Sequence, residues 1–147
     1  MSRHTRYQGF IVQDHKILLI KISQVAAGRS YWVIPGGGLD ADETEEECVM
    51  REMKEETNLE VTIERLVFDE PAPAGGVYKW RKSYICTPVS GEASPGWEPE
   101  VDVDYSITEV KWFDLRKENE WENKLKEDPF TYPQLIKLRD YLGYEDS

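Results

Sequence analysis

Residues 35–59 read PGGGLDADETEEECVMREMKEETNL, a glycine-rich turn followed by an acidic segment with helical spacing. Thr44 and Glu47 form a capping-box pattern, in which each side chain satisfies the backbone N–H of the other residue. A helix is therefore predicted over 45–57. Asn58 follows it where a helix needs a residue in the left-handed conformation, which asparagine adopts second best after glycine. Asn58 is expected only to end the helix, so glycine there should be neutral or mildly stabilising.

Three glutamates lie on one face of the predicted helix. At about 100° per residue, Glu52, Glu55 and Glu56 fall within roughly 100° of arc. Like charges at this spacing destabilise a helix, so a cation that neutralises them is favoured. Mg²⁺ takes oxygen ligands and bridges carboxylates to substrate phosphates, whereas zinc would call for histidine or cysteine beside the glutamates. The alternative is an ordinary solvated helix face, and acidity alone does not decide between the two.

The helix is also expected to have a core-facing edge next to the carboxylates. Arg51 lies beside the glutamates, one turn from both Glu47 and Glu55. The adjacent, mostly apolar stripe that should pack against the core comprises Val49, Met50, Met53 and Thr57.

The spacing of these residues carries more information than their charge. Gly37 is followed after five residues by Glu43, and after seven more by Arg51-Glu52-Met53-Lys54-Glu55-Glu56-Thr57-Asn58-Leu59. This pattern resembles the Nudix box, G-x5-E-x7-R-E-U-x-E-E-x-G-U, where U is a bulky aliphatic residue. Every fixed position matches except the last glycine, which is Asn58 here.

The resemblance extends over residues 6–114. A strand leading into Trp32-x-x-Pro35-Gly36-Gly37, the box, an acidic loop and a late strand with Glu109-Val110-x-Trp112 are together similar to the Nudix layout. The resemblance implies an α/β fold in a single domain over residues 1–147. The implied architecture is an α/β/α sandwich around a mixed β-sheet, with a loop–helix–loop site and with 115–147 as a C-terminal helical tail.

Hydrophobic patterning elsewhere agrees with a mixed sheet. Strands are predicted over 7–12, 16–22, 31–34, 60–69, 76–87 and 107–113. The first two strands are separated by Gln13-Asp14-His15, which predicts a hairpin. The segment 115–126 is polar and compatible with helix, and Pro133–Leu142 is predicted to be a helix that Gly143 ends.

The resemblance also implies roles for individual residues. In Nudix enzymes the first and last glutamates of the R-E-U-x-E-E run usually ligate the metal, which implies Glu52 and Glu56 here. The resemblance further implies a ligating backbone carbonyl at Gly36 and a glutamate near the metal at Glu43. It implies an assisting carboxylate at Glu55 and an arginine that orients the glutamates at Arg51. The implied cofactor is Mg²⁺ or Mn²⁺, which would neutralise charge on a diphosphate and lower the pKa of a bound water.

The general base is left open by the resemblance. In some family members a box glutamate takes the proton of the attacking water, and in others an acid on a distant loop does so. The acids of the loop over 88–105 include Glu98, Glu100, Asp102 and Asp104. Glu98 and Glu100 are the preferred candidates for a loop base, and the alternative is that these acids are simply solvated.

Cations and aromatic rings outside the box are the candidates for substrate contacts. The predicted substrate-binding residues are Arg29, Lys79, Arg81 and Trp80. In a strand, Lys79 and Arg81 would share one face while Trp80 and Lys82 share the other. Rings that could stack on a base are Tyr31, Trp80, Trp97 and Tyr105. The alternative for each ring is packing in the core or partial exposure at the surface.

The net charge of −11 is concentrated in two segments. Residues 37–60 and 92–109 carry −8 and −6, so the rest of the chain is net +3. The acidity is therefore local, as expected of carboxylates that bind divalent cations, which then attract phosphates. No broad basic stripe is present, which disfavours nucleic acid as a partner.

The composition favours a globular domain inside the cell. The 147 residues include 39% hydrophobic residues and five tryptophans. No apolar run reaches the roughly 18 residues of a membrane span, and no signal-peptide pattern is present. Cys48 and Cys86 lack ligand-like spacing, which favours reduced thiols. The predicted chain is cytoplasmic and not membrane-bound, and a homodimer is compatible with it.

The predicted activity is metal-dependent hydrolysis of a diphosphate bond in a nucleoside diphosphate derivative. The shortness of the chain favours a nucleoside triphosphate or a related small nucleotide. ADP-ribose, sugar nucleotides and dinucleoside polyphosphates are alternatives, since Pro73 and Tyr78 lie near positions typical of enzymes for such substrates. A non-catalytic nucleotide-binding module is disfavoured because the glutamates of the box are intact.

Overall fold

The computed structural model describes residues 4–97 and 105–144. Its strands are β1 (Thr5–Gln13), β2 (Lys16–Gln24), β3 (Arg29–Val33), β4 (Gly36–Gly37), β5 (Glu60–Pro71), β6 (Trp80–Ser90) and β7 (Tyr105–Asp114). Its helices are α1 (Glu45–Thr57), α2 (Asn123–Lys126) and α3 (Thr131–Leu142), with a 3-10 turn at Glu118–Glu120. No helix of these described residues is long and apolar enough to cross a membrane.

The strands form the mixed sheet that the sequence predicts. The main order is β3-β2-β1-β6-β5, with β4 paired to β1 and β7 paired to β2. Only the β1–β6 pairing is parallel among these, and the others are antiparallel. The predicted hairpin joins β1 to β2 through Asp14 and His15, both at positive φ (52° and 67°), as the tight turns of right-twisted hairpins require.

Both faces of the sheet are covered. Successive residues of a strand point to opposite faces, so Ile11 packs in one cluster with α1 while Phe10 packs in another with α3. The first cluster also holds Cys48, Val49 and Met53 of α1, and the second holds Leu135 and Leu138 of α3. Helices on the two sides of a mixed sheet make this the expected α/β/α sandwich.

Helix α1 begins and ends where the sequence places it. Thr44 Oγ1 accepts from Glu47 N at 3.1 Å, and Glu47 Oε1 accepts from Thr44 N at 2.9 Å. Asn58 is left-handed, at φ 64° and ψ 18°. One prediction for the core edge was wrong: Met50 is 37% exposed, and Cys48 is buried in its place. The buried face is rotated toward the glutamates, and it therefore includes Glu52 and Glu56 themselves.

Strand β6 begins later than predicted. The sequence predicts a strand from residue 76, whereas residues 72–79 form a loop that Ala72 N closes by donating to Lys79 O at 3.0 Å. Gly75 has a φ of +94°, which interrupts an extended strand. This loop borders the cavity described below.

The C-terminal segment is helical in short pieces. Asp128 Oδ1 accepts from Phe130 N at 2.8 Å and from Thr131 N at 2.7 Å at the start of α3, and Pro133 lies in the first turn of this helix. A proline is tolerated there because the first turn of a helix leaves its N–H groups without helical partners. Gly143, at φ 86°, ends α3 as predicted.

Candidate active site

Glycines bring the loop before α1 into contact with the buried glutamates. Gly36 and Gly37 form β4, which pairs with β1. A Cβ atom on Gly37 would lie 2.2 Å from Glu52 Oε2, so only glycine allows this approach. Gly36 N donates to Glu56 Oε1 at 2.8 Å, which fixes the carboxylate of the last helical turn against the loop. The glycine-rich turn and the helix therefore form one unit.

Arg51 holds several carboxylates of the box together. Its guanidinium donates to Glu43 Oε2 at 2.7 Å, and to Glu52 Oε2 and Glu55 Oε1 at 3.1 Å each. A further bond to Gly38 O at 3.0 Å ties the cluster to the loop. Glu47 is not among its acceptors, since that side chain is engaged in the capping box. Arg51 is thus bonded to three of the glutamates and to the loop that precedes the helix.

The cluster shifts the ionisation of its members in a consistent direction. The hydrogen bond from Arg51 lowers the pKa of Glu43, and burial only partly offsets this. The same hydrogen bond raises the pKa of Arg51 further above its already high ordinary value. Both groups are therefore charged at neutral pH, and Arg51 provides positive charge to a predominantly acidic site.

The last turn of α1 is covered by the first part of the acidic loop over 88–105, through backbone hydrogen bonds. Ser94 N donates to Thr57 O, Gly96 N to Glu56 O and Trp97 N to Glu55 O, at 2.7–3.0 Å. These carbonyls are ones that a helix end leaves without helical partners. Residues 94–97 therefore complete the C-terminal end of the glutamate helix.

Asn58 holds the same loop with its side chain. Its Nδ2 donates to Ser94 Oγ at 2.9 Å and lies 3.3 Å from both Ser94 O and Pro95 O. The expectation that Asn58 only ends the helix was therefore incomplete. The departure from the glycine of the box adds a contact that glycine cannot make.

A cavity of about 620 Å³ opens beside the glutamate helix. Gly36 and Glu56 lie in its wall, so the buried end of the box is in contact with the cavity. Aromatic side chains from four separate parts of the chain also line it: Tyr31, Tyr78, Tyr105 and Phe130. The remaining boundary includes residues of β1, β2, β3 and β6, the 72–78 loop and the start of α3. The volume lies in the range of small-molecule sites.

Of the four predicted substrate-binding residues, Arg81 lines this cavity. Arg29 is exposed outside it, with its guanidinium 5.4 Å from the centre of the Tyr31 ring. Lys79 is exposed and precedes β6, so it does not share a strand face with Arg81. Trp80 points away, because neighbouring strand residues alternate, and its Nε1 donates to Asp69.

The other predicted residues have separate outcomes. Of the rings expected to stack on a base, Tyr31 and Tyr105 line the cavity, whereas Trp97 is 71% exposed outside it. The loop acids Glu98, Glu100, Asp102 and Asp104 lie outside the described residues, so their placement as a general base stays a prediction.

Residues from the two ends of the chain also line the cavity and were missed. Arg6 and Gln8 come from β1, and Gln134 comes from α3. Gln8 is 2% exposed, and its Nε2 donates to Ser83 Oγ at 2.9 Å and to Gln134 Oε1 at 2.6 Å. One signal in the sequence could have pointed to Gln8, since it is a lone glutamine in the otherwise apolar run 7–12. No pattern in the sequence connects α3 to this wall.

The glutamates fit a divalent cation whose coordination is completed by other ligands. In residues 4–97 and 105–144, no group of three or more acidic, histidine or cysteine side chains is arranged to hold a metal ion by itself. A cation such as Mg²⁺ does not require such a cage, because it is usually held by one or two carboxylates together with water and substrate phosphates. Glu52 and Glu56, one turn apart and 0% and 2% exposed, provide two such carboxylates.

Known proteins share both the sequence pattern and the fold. The family model of the NUDIX domain matches residues 3–135. The ADP-ribose pyrophosphatase of Methanocaldococcus jannaschii is 32% identical over 142 residues, which cover 94% of this chain and 72% of that protein.

Solved structures agree on the fold. A NUDIX hydrolase from Nitrosomonas europaea superposes with a TM-score of 0.72 at 21% identity, covering 97% of this chain and 74% of that one. An ADP-ribose pyrophosphatase from Streptococcus suis superposes with a TM-score of 0.69 at 22% identity, covering 97% and 96%. Nudix hydrolases generally use divalent metals and act on small nucleotide substrates. With its glutamate helix in the expected fold, and with a family match over nearly the whole length, this chain belongs to the NUDIX family of hydrolases.

Proposed function

We propose that this protein hydrolyses the diphosphate bond of ADP-ribose or a closely related nucleoside diphosphate sugar, with Mg²⁺ as the cofactor. The observation that carries the proposal is the contact between the cavity and the box at Gly36 and Glu56. A ligand in the cavity would have its diphosphate beside the buried carboxylates. The relative from Methanocaldococcus jannaschii, an ADP-ribose pyrophosphatase, supports the choice of substrate.

The walls of the cavity suit a nucleoside. Tyr31, Tyr105 and Phe130 contribute aromatic rings that can pack against a base or a ribose. Polar groups are few, and they include Thr131 and Gln134 at the start of α3. Mostly apolar walls with a few placed polar groups are typical of sites that bind small molecules.

Glu52 and Glu56 are the proposed side-chain ligands of Mg²⁺ or Mn²⁺, with the Gly36 carbonyl as a backbone ligand and Glu43 near the metal. When bound, the metal would neutralise charge on the diphosphate and lower the pKa of a bound water. Arg51 keeps Glu52 and Glu55 in place through its two 3.1 Å bonds.

The proton of the attacking water would pass to a carboxylate. Glu55 is the candidate among the described residues, since its side chain is 28% exposed and adjoins the ligands. Glu98 and Glu100 are the alternatives from the acidic loop. A carboxylate that is ionised at neutral pH can accept this proton directly.

Nucleoside triphosphates rank second because the relative from Methanocaldococcus jannaschii is an ADP-ribose pyrophosphatase. Chromatography of the products from a panel of substrates would distinguish ADP-ribose from nucleoside triphosphates as the preferred substrate. The panel would contain ADP-ribose, UDP-glucose, diadenosine tetraphosphate and the nucleoside triphosphates, each with Mg²⁺, with Mn²⁺ and with EDTA. The proposal expects AMP and ribose 5-phosphate from ADP-ribose only when metal is present. Faster release of pyrophosphate from a triphosphate would overturn the choice of substrate, and equal rates in EDTA would overturn the metal requirement.

A further inference from the structure

Two arginines stand side by side in the wall of the cavity. Arg6 of β1 and Arg81 of β6 are direct partners in the parallel pairing of these strands, and both line the cavity. Paired positions on adjacent strands point to the same face and are about 4.8 Å apart along the sheet. Like charges directly opposite each other on a sheet are destabilising unless something neutralises them. The pair therefore needs an explanation.

In the described part of the chain, the carboxylate bonded to this pair does not balance its charge. Glu70 accepts from Arg81 Nη2 at 2.8 Å and also from Lys137. Burial raises the pKa of Glu70, but the bonds from Lys137 and Arg81 outweigh it and hold the pKa below its usual range, so this acid is ionised. One carboxylate is thus shared by two cations. Among residues 4–97 and 105–144, Arg6 has no ion-pair partner of its own, and its bonds go to Ile34 O and Gln8 Oε1.

Both guanidiniums have donors to spare. An arginine carries five N–H donors, of which Arg6 uses two, through Nε and Nη2. Arg81 uses Nη2, while its Nε is buried and has no hydrogen-bond partner in the described part of the chain. A buried donor without a partner costs free energy that an incoming acceptor would recover. The spare donors and the uncompensated charge both favour an anion.

The pair is close to the glutamate helix. Arg6 Nη2 donates to Ile34 O at 2.7 Å, and Ile34 lies two residues before Gly36, whose N–H holds Glu56. Arg6, Arg81 and Glu56 also line the same cavity, so an anion on the arginines would share that cavity with a group bound at Glu56. A diphosphate has this form, with one phosphoryl group at the carboxylates and their metal and the other beside the arginines.

We propose that Arg6 and Arg81 form a phosphoryl-binding subsite, which holds the part of the substrate diphosphate that faces away from the glutamate helix. Guanidinium groups suit this task because their planar donors match phosphate oxygens in a bidentate manner. The proposal rests on the proposed function for the identity of the substrate, but the binding of an anion by the pair does not depend on catalysis. Gln8 keeps Arg6 in place, since its Oε1 accepts from Arg6 Nε at 3.2 Å.

The test is calorimetric titration of inorganic pyrophosphate into the full-length protein at low ionic strength with excess EDTA, so that neither metal nor turnover contributes. The variants are Arg6→Gln, Arg81→Gln and the charge-retaining Arg6→Lys. The matched control is Arg65→Gln, which removes an exposed arginine of β5 that bonds to Tyr141 outside the cavity. Thermal unfolding of each variant would check that it is folded. If Arg6→Gln does not fold, Arg81→Gln carries the test.

The expected result is that wild type binds pyrophosphate, that each glutamine variant weakens binding by about ten- to hundredfold, and that Arg6→Lys loses less. Arg65→Gln should bind within about twofold of wild type. Absence of pyrophosphate binding in wild type, or equal affinity in wild type and Arg6→Gln, would overturn the subsite. Arginine-dependent pyrophosphate binding without ADP-ribose hydrolysis would leave the subsite standing and overturn only the proposed substrate.

Discussion

The glutamate helix and the cavity beside it are assembled in different ways. The helix, its loop and its orienting arginine all lie between Gly36 and Asn58, and nearly every contact in the cluster is made within that stretch. The cavity draws its walls from residues 6–134. The residues of the proposed metal site are therefore close together in the sequence, whereas the proposed substrate cavity depends on how distant segments fold together.

The two regions also differ in how their arginines are held. Arg51 donates to three glutamates and a backbone carbonyl of the box. In the cavity, Arg81 donates to Glu70, and its buried Nε has no hydrogen-bond partner among the described residues. An acceptor that enters the cavity can therefore satisfy Arg81, as the proposed phosphoryl subsite requires.

Glu56 is where the two regions meet, so its substitution should have the largest effect. Glu56→Gln keeps an acceptor for Gly36 N but removes a negative charge from the proposed metal site. We expect kcat for the preferred substrate to fall by about 10³-fold, which corresponds to about 4 kcal/mol. Glu46→Gln, on the exposed side of the same helix, should be close to wild type. Steady-state kinetics with matched thermal unfolding would measure both. Near-normal turnover of Glu56→Gln would show that Glu56 of this helix does not take part in the reaction.

Arg51 tests whether the local cluster is held by one cation. Arg51→Gln leaves the fully buried Glu52 without its guanidinium, and we expect a loss of about 3 kcal/mol in the free energy of unfolding at pH 7. Urea unfolding at pH 7 would measure this loss, and repeating it over a range of pH gives a second test.

The pH dependence follows from the lowered pKa of Glu43. Because its folded pKa lies below the ordinary value of 4.5, the stabilisation is fully present above about pH 4.5 and is lost as the pH falls through the folded pKa. The difference in unfolding free energy between wild type and Arg51→Gln should therefore become smaller below pH 4.5. A difference that stayed constant down to pH 3 would show that Arg51 acts through packing alone.

Gly96 tests the loop that covers the end of α1. A Cβ atom there would lie 1.8 Å from Glu55 O, so Gly96→Ala must displace the loop from the helix. We expect a loss of about 2 kcal/mol in unfolding free energy, typical of overpacking. Gly76→Ala is the control, since nothing lies within 4 Å of a Cβ at that position. Equal stability of the two alanine variants would show that the loop does not support the helix.

Asn58 tests the same contact between the loop and the end of α1, with a smaller expected loss of stability. Glycine suits the left-handed conformation better, but it loses the 2.9 Å bond to Ser94 Oγ. We expect Asn58→Gly to destabilise the protein by about 1 kcal/mol, opposite in sign to the expectation from the box consensus. A double-mutant cycle with Ser94→Ala would isolate the contact. A coupling energy near zero would restore the simpler interpretation that Asn58 only ends the helix.

Arg29 should show the smallest effect. It was predicted to bind substrate, but it lies outside the cavity, so Arg29→Gln is expected to leave KM within about twofold of wild type. Steady-state kinetics would check this. A rise in KM of tenfold or more would mean that the ligand extends beyond the cavity, toward β3.

Much of the fold and the glutamate site followed from the sequence because their signals are local. The capping box, Asn58 and the glutamates lie within one helix, where periodicity and spacing determine which side chains are neighbours. The error at Met50 was one of rotation: the glutamate face is itself partly buried, so the true core edge is shifted to Cys48.

The cavity could not be predicted because its members are brought together by strand register and by the C-terminal helix. Arg6 and Arg81 are 75 positions apart and become neighbours only through the parallel pairing of β1 and β6. The late start of β6 also moved Lys79 out of the strand, which removed the alternation assumed for it. Gln134 reaches Gln8 from a helix that no motif connects to the site.

The central claim is that the carboxylates of the box and the cavity form one metal-dependent site. The most direct measurement is anomalous scattering from Mn²⁺ in crystals soaked with the metal and a non-hydrolysable ADP-ribose analogue. The account predicts a manganese peak in coordination contact with Glu52 and Glu56, with the diphosphate of the analogue in the cavity beside it. A peak at other residues, or no peak near these glutamates at saturating Mn²⁺ with the analogue bound, would contradict it.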